Sequence, residues 1–390
     1  MIRLTRPFFS EAETSAVADV LASGMLIQGA RVFDFEAATA RYLTALASPP
    51  LDGAVHAIAV ATGTNALELA VATVPRAGGA WGAHAGDEVL VPTVTWPSPG
   101  HAVALSGATP VLVDVDPDTW CIDVEAAAPM ASAHTVAVIV IDQFGVPADV
   151  PGARRTFAGI DIIEDAACAL GSTLGGVPCG LVGDVGIYSY HPRKVISTGE
   201  GGMFLTRDAR RAARVRALRN HGQVSTGVFE CAGPNARMSE LHGALGVVQM
   251  KKLDEILSRR RALADEIRSA LPLQWQRAPE GATVNHQTLG FVLPKPAQGD
   301  LRSARDTLLA ALRDAGVEAS ILSYALHRLP QFQTYAANRG RRFPVADAVV
   351  DGGVAVPLHP GMSSMDAAKV IDAVKTHAAW ALGRAGEVLG

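Results

Sequence analysis

Apolar and polar residues follow two different rhythms along this chain. Near the start, Val17, Val20 and Leu21 recur at helical spacing behind Ser10. Ser10 followed by Glu13 is the capping-box pattern that opens a helix at Glu11. A break between Gly24 and Gly29 precedes a second helical pattern carried by Phe33, Phe35 and Tyr42. From Val55 to Thr206, short β-branched runs take over: HAIAVAT, DEVLVP, TPVLVDV, TVAVIVID, DIIEDAA, DVGIYSY and GGMFLT. Nearly continuous apolar runs of this length suit strands covered on both faces. Interleaved with helical stretches, they predict an α/β fold around a largely parallel sheet.

After Asn235 the spacing predicts one long helix capped by Ser239, with Leu241, Leu245, Val248, Leu253, Ile256, Leu257, Leu263 and Ile267 mostly on one side. Pro272 ends it. TLGFVLP and GVAVPL read as strands, DTLLAALRDAG as a helix closed by Gly316, and SMDAAKVIDAVKTHAAWAL as the closing helix. The expected organisation is a large domain over residues 1–250 and a small C-terminal α+β domain over 251–390. No repeat or low-complexity linker marks the join.

Composition narrows the function. Of 390 residues, 49% are hydrophobic and 18% charged, which supports a sizeable core and argues against disorder. A formal net charge of -4 with no long basic run argues against nucleic acid as partner. Arg259, Arg260 and Arg261 fall in a helical pattern and read as a solvated face. Cys121, Cys168, Cys179 and Cys231 are scattered without a CxxC pair, so neither a structural zinc nor a disulfide framework is expected. MIRLTRPFFSEAE lacks the pattern of a secretory leader, and no apolar stretch is long enough for a bilayer, so no membrane partner is expected and the cytoplasm is the expected location.

Two reactive groups fall at predicted strand ends. Asp165 follows the run from Ile160 to Ile163, and Lys194 follows VGIYSY and precedes the turn of Gly199, Gly201 and Gly202. Ligands of open α/β sheets bind beyond the carboxyl ends of strands, so both residues point to one crevice. A lysine amine can carry pyridoxal 5′-phosphate (PLP), and a carboxylate can keep the ring nitrogen protonated, which makes the ring an electron sink. Taken singly, Lys194 reads more readily as surface charge and Asp165 as a helix cap. ATGTNALELAVATV adds a strand, a tight turn at Gly63 and Thr64, and a helix whose first N–H groups can hold a phosphate. A plain strand-to-helix turn has the same pattern. Trp96 in PTVTWPSPG suits either stacking on a pyridine ring or core packing.

The pieces also stand in a telling order. SGMLIQGARVFDFEAATARYL, ATGTNALELA, GDEVLVPTVTWPSPGHAV, PVLVDVDPDTWCID, IEDAACALGS, GDVGIYSYHPRKVISTGEGGMFLT, LRNHG, NARMSELHGALGVVQMKKLDEI, ALHRLPQF and VPLHPGMS span nearly the whole chain. In order and spacing they resemble the DegT/DnrJ/EryC1/StrS family of sugar aminotransferases. The resemblance implies the type I PLP-dependent aminotransferase fold, PLP as cofactor, and a homodimer with active sites at the subunit interface. It implies transfer of an amino group from an amino acid, L-glutamate in the family, to a nucleotide-linked keto-hexose. A keto-cyclitol is a second acceptor it allows. Relatives that instead remove a hydroxyl from a keto-sugar carry His in place of the lysine, so Lys194 points away from that route.

By the same match, Lys194 is the Schiff-base lysine and Asp165 the partner of the pyridine nitrogen. Gly63 and Thr64 form the phosphate turn, and Ser189 is a further phosphate ligand. Trp96 is the aromatic on the cofactor ring, and Asn235 reaches the phosphate of the neighbouring subunit. Cys168 stands where many members carry Gln or His to meet the phenolic oxygen, and a thiol is a weak donor. His191, Arg219 with His221, His327 and His359 are candidates for substrate contact. The other histidines lack metal-ligand spacing, and no metal centre is expected. A non-catalytic PLP-binding regulatory protein on the same fold is the rival from another class.

Overall fold

The computed structural model describes residues 1–296 and 299–381. All seven β-branched runs form strands of one sheet. These are β1 (His56–Val60), β2 (Glu88–Pro92), β3 (Thr109–Val113), β4 (Thr135–Ile141), β5 (Asp161–Asp165), β6 (Val185–Ser189) and β7 (Gly202–Thr206). Their order is β1-β7-β6-β5-β4-β2-β3. Pairings from β6 to β3 are parallel. Strand β7 is antiparallel to both β1 and β6, so it alone runs backwards. The carboxyl ends of β1, β2, β5 and β6 therefore open on one edge, and β7 starts on that edge. Register aligns Val60, Gly202 and Ser189 in one row across it.

The strands read as continuous apolar runs because alternate residues enter different cores. Ile58, Val60, Ile163, Ile187 and Phe204 pack on one face, while Ala57, Ala59, Tyr188, Met203 and Leu205 pack on the other. Each such large side chain contributes on the order of 1.5–3 kcal/mol by burial.

Helix α1 (Glu11–Ser23) carries the capping box expected of Ser10 and Glu13. Helix α2 (Ala30–Leu46) starts at Gly29 and has no side-chain cap of its own. Glu240 supplies one from far along the chain. Its carboxylate accepts the N–H groups of Gly29 (2.8 Å), Arg31 (2.9 Å) and Val32 (3.0 Å), which satisfies the orphan donors of a helix start. Helices α3 (Gly63–Val71) and α4 (Ser98–Leu105) begin on the open edge of the sheet.

The predicted long helix is two helices, α5 (Glu240–Lys251) and α6 (Leu253–Ala270), with Ser239 capping the first. They meet at Lys252 because they serve different partners. Helix α5 packs on α1 and α2, and a Cβ added at Gly246 would lie 2.6 Å from the Phe35 ring. Helix α6 packs on the closing helix. At the join, Lys252 Nζ reaches both carboxylate oxygens of Glu13, at 2.7 and 2.8 Å.

Burial alone would raise the Glu13 pKa, but hydrogen bonds from Lys252, Ser10 and Gln249 outweigh it and hold the value down to about 2. A carboxylate depressed in the fold adds stability above its unfolded pKa and loses that stability as pH falls through the folded value. Urea midpoints are therefore expected to drop between about pH 4.5 and pH 2. Glu13→Gln should flatten that part of the profile. A variant profile that tracks the wild type there would assign the acid sensitivity elsewhere.

The small lobe is an antiparallel sheet of β8 (Gln274–Trp275), β9 (Leu289–Val292), β10 (Ser320–Ile321) and β11 (Gly353–Val356), ordered β8-β9-β11-β10. Helices α7 (Leu301–Asp314) and α8 (Ser364–Ala381) pack on it with α6. The chain crosses between lobes more than once. Ile2 bridges to Val317 and is buried in the small-lobe core. Phe332, Phe343, Ala346 and Val349 return to the core beneath the large sheet.

The arginine triplet is a correction. Only Arg259 faces solvent, pairing with Glu255 at 3.0 Å. Arg260 is buried, and burial lowers its pKa to about 10. It donates to the carbonyls of Leu358 (3.1 Å), His286 (2.5 Å) and Gln287 (2.6 Å). Arg261 donates to Val284 (3.0 Å) and Gly171 (2.9 Å). Apart from that helical spacing, nothing local in the sequence reveals these carbonyls.

Candidate active site

The open edge of the sheet is built by close backbone approach. A Cβ added at Gly63 would lie 2.8 Å from Ser189 Cβ. One added at Gly202 would lie 2.4 Å from the Thr62 carbonyl oxygen and 2.7 Å from Gly63 N. Only glycine fits either place. The first turn of α3, Ser189 and the start of β7 thus converge. Thr62 caps α3, its hydroxyl accepting the Asn65 N–H at 3.0 Å. Thr64 Oγ1 and Ser98 Oγ share a hydrogen bond of 2.9 Å, tying α3 to the start of α4. The cradle offers N–H groups and hydroxyls with the positive end of the α3 dipole, which suits an anion.

Lys194, Asp165 and Cys168 meet beside it. Asp165 ends β5 and is buried, with Oδ1 accepting the Ala167 N–H at 3.1 Å. Burial raises its pKa, and the nearby charge of Lys194 and that N–H pull it back. Lys194 Nζ donates to Cys168 Sγ at 3.0 Å. Trp96 is 63% exposed, with its ring 5.5 Å from that of Tyr324 at an interplanar angle of 75°. Core packing is therefore not its role, and its exposure leaves ring surface available for stacking. All four cysteines are free.

Two substrate candidates have their polar atoms engaged within the fold. Arg219 is buried, donating to Glu36 (2.5 Å) and to the Ala59 carbonyl (2.6 Å). Glu36 also receives Arg216 (2.9 Å) and the Ala59 N–H (2.9 Å), so Arg219 belongs to an ion cluster that ties α2 to β1. His327 has both ring nitrogens engaged, Nδ1 with Thr93 (2.9 Å) and Nε2 with Asp347 (3.0 Å), and its ring stacks on Phe343. His359 is buried with Nδ1 unpartnered. His191 is exposed on the turn between Ser189 and Lys194, and Asn235 is exposed on a segment bridged to Asn220.

Sequence reasoning missed what lies behind Asp165. The N–H of Asp142 donates to the Asp165 carbonyl at 3.1 Å. The Asp142 side chain sits with Glu164 and Cys179, their polar atoms within 4.8 Å of one another and all three residues buried. Both Glu164 oxygens are taken by the N–H groups of Gly180 (2.7 Å), Val182 (2.9 Å) and Gly183 (2.8 Å), so the cluster has little left for a cation. Asp142 Oδ1 accepts the Ala148 N–H at 2.8 Å, but Oδ2 has no donor. Burial, and after it the charge of Glu164, push the Asp142 pKa well up.

A carboxyl raised in the fold contributes stability below its unfolded pKa and loses it as pH rises through the folded value. Asp142→Asn replaces the titrating proton with a permanent N–H donor. The variant is expected to have a higher unfolding midpoint than the wild type at pH 8 and a smaller difference at pH 5. Equal slopes for both proteins over that range would assign the pH dependence to another group.

An α/β sheet with one reversed strand, a strand-end lysine and carboxylate, and a glycine-lined anion cradle define an aminotransferase of the type I fold. Residues 8–375 match the DegT/DnrJ/EryC1/StrS aminotransferase family, and the chain belongs to it. It is 31% identical over 354 residues to GDP-perosamine synthase of Caulobacter vibrioides, covering 89% of this chain and 90% of that one. It is 29% identical over 394 residues to dTDP-4-dehydro-2,3,6-trideoxy-D-glucose 4-aminotransferase of Saccharopolyspora spinosa, covering 95% of each. The crystal structure of the aminotransferase TlmJ from Streptoalloteichus hindustanus superposes with a TM-score of 0.84 at 30% identity, covering 97% of this chain and 99% of that one.

Proposed function

We propose that Lys194 carries PLP and that the enzyme moves an amino group from L-glutamate to the ketone of a nucleotide-linked sugar. The convergence of Lys194 and Asp165 beside the glycine cradle carries this reading. The residues fit the cofactor: the glycines let the start of α3 and Ser189 converge, so that N–H groups and hydroxyls stand ready for its phosphate, and Asp165 is a buried acid near a lysine. Gly63, Thr64 and Ser189 would hold the phosphate, Trp96 the ring face, Asp165 the ring nitrogen, and Cys168 would lie beside the phenolic oxygen. Bound there, PLP supplies an electron sink for the donor's α-carbon.

The chain supplies the rest. Asp165 holds a negative charge where water cannot replace it. Once free, Lys194 Nζ would take the proton from the donor's α-carbon and deliver it to the cofactor carbon that keeps the nitrogen, and in the second half-reaction it would move a proton the other way, onto the sugar carbon that gains the amine. Cys168 Sγ, already 3.0 Å from Nζ, orients that amine.

The two curated relatives above are named for nucleotide-linked sugars, which supports that acceptor over a keto-cyclitol. A homodimer is part of the proposal. Met25, Leu26, Ile27 and Phe33 form an exposed apolar run that a second copy would cover, and exposed Asn235 would reach the partner's phosphate. His191 and His359 remain proposed substrate contacts. No described helix is long and apolar enough to cross a membrane, and a cytoplasmic enzyme is the proposal.

The test is spectroscopic. PLP-loaded protein should absorb in the visible and bleach with L-glutamate, and a nucleotide-linked keto-sugar should restore the colour. Recovery with a neutral keto-cyclitol alone would replace the acceptor. A coloured protein indifferent to every amino donor would make it a binding protein.

A further inference from the structure

A cleft of about 590 Å³ lies beside the Lys194 turn, outside the cradle described above. Its walls are the N-terminal segment, Arg193 and the strand edge at Glu318 and Ser320. Three guanidinium groups, those of Arg3, Arg6 and Arg193, face one carboxylate, that of Glu318. The balance is two uncompensated positive charges. Among the described residues, neither Arg6 nor Arg193 forms an ion pair, and Arg3 meets Glu318 only at 3.7 Å with both side chains solvated. Such a pair is weak and easily exchanged for a better anion.

The backbones around Arg3 and at Arg193 are fixed, and Arg6 lies two residues beyond the first of these anchors. Ile2 N–H donates to Gly316 (2.8 Å), Glu318 N–H donates to Ile2 (2.9 Å), and Leu358 N–H donates to Leu4 (3.2 Å). Gln287 Nε2 donates to the Arg193 carbonyl at 2.6 Å. The cations are therefore presented from anchored positions rather than from a loose tail. Arg193 immediately precedes Lys194, so a ligand held here lies at the reacting lysine's own turn.

We propose that this cleft holds the diphosphate of the acceptor, with Arg6 and Arg193 as its principal ligands and Arg3 turning from Glu318 to join them. A diphosphate diester carries two negative charges, which matches the uncompensated pair. Guanidinium forks fit phosphate oxygens bidentately. The volume is in the range of sites that take ligands of this size. The inference rests on the nucleotide-sugar reading above and deepens it, since it names residues that select an acceptor bearing a diphosphate.

The experiment is isothermal titration of the PLP-loaded enzyme with UDP, dTDP, GDP and inorganic pyrophosphate. It compares the wild type with Arg6→Ala, Arg193→Ala, Arg193→Lys and the double alanine variant. The wild type should bind a nucleoside diphosphate. Each alanine change should weaken that binding about tenfold and the pair about a hundredfold. Arg193→Lys should recover part of the loss, as a charge without the fork does. The KM for L-glutamate in the donor half-reaction, followed by bleaching, should move much less than the nucleotide affinity.

If the wild type binds nucleoside diphosphates and the variants bind them equally well, the cleft is wrong while the nucleotide-sugar reading stands. If the L-glutamate KM rises and nucleotide affinity does not, the arginines serve the donor's carboxylates and the proposal falls. If the wild type binds none of the four probes, both the cleft and the reading it rests on fail together.

Discussion

Lys194→Ala is expected to fold normally and to lose on the order of 10⁴-fold or more in turnover. Folding survives because the side chain's one described hydrogen bond is to Cys168 Sγ at 3.0 Å, and the turn around it is held by backbone bonds such as Lys194 N–H to the His191 carbonyl. Activity does not survive because two roles disappear at once, the covalent anchor and the base. A positioned base alone is worth about 10²–10⁴-fold. Single-turnover bleaching with L-glutamate measures the loss directly. A small added amine such as methylamine should restore part of it, because the missing group is a base rather than a shape. Turnover within tenfold of the wild type would remove Lys194 from the reaction.

Asp165→Asn should cost about 10²–10³-fold, the usual range for removing one preorganised electrostatic partner. The change is nearly isosteric, and the amide oxygen can still accept the Ala167 N–H, so the local turn is preserved. What vanishes is a negative charge in a buried place that solvent cannot refill. The variant should still hold the cofactor through the cradle, with a shifted visible band, and should fail mainly in proton removal from the donor. A deuterium label on the donor's α-carbon gives the readout: its isotope effect should grow. Full activity in this variant would mean that the ring nitrogen needs no acid here.

The seven strands of the large sheet were legible because each is buried on both faces, and that requirement writes itself into consecutive residues such as Val138, Ile139 and Val140. Ser10 and Ser239 were legible as caps because a helix start is satisfied within three residues. Lys194 and Asp165 stood out from their places at strand ends, and the family's order of motifs gave them roles. The contacts that shape the site were not legible. The fit of Gly63 against Ser189 joins residues over a hundred positions apart, and the glycine run at 199–202 showed only that tight backbone was needed. Asp142 was hidden because what raises its pKa is burial beside Glu164, and nothing in IDQFG announces a neighbouring acid. The surroundings of Arg219 and His327 were hidden as well. Each belongs to a stretch that resembles the family, but its polar atoms are bound by Glu36, Thr93 and Asp347, which the local sequence does not show.

The threading of the chain limits how the enzyme could be cut or rearranged. Ile2 zips onto Val317, and the stretch holding Phe332 and Phe343 dives back under the first sheet. A gene split at the α5–α6 junction would therefore yield one half whose first residues lack their small-lobe partner and another with a greasy segment in search of its groove. Neither fragment should be soluble alone, and the two should recover only when produced together.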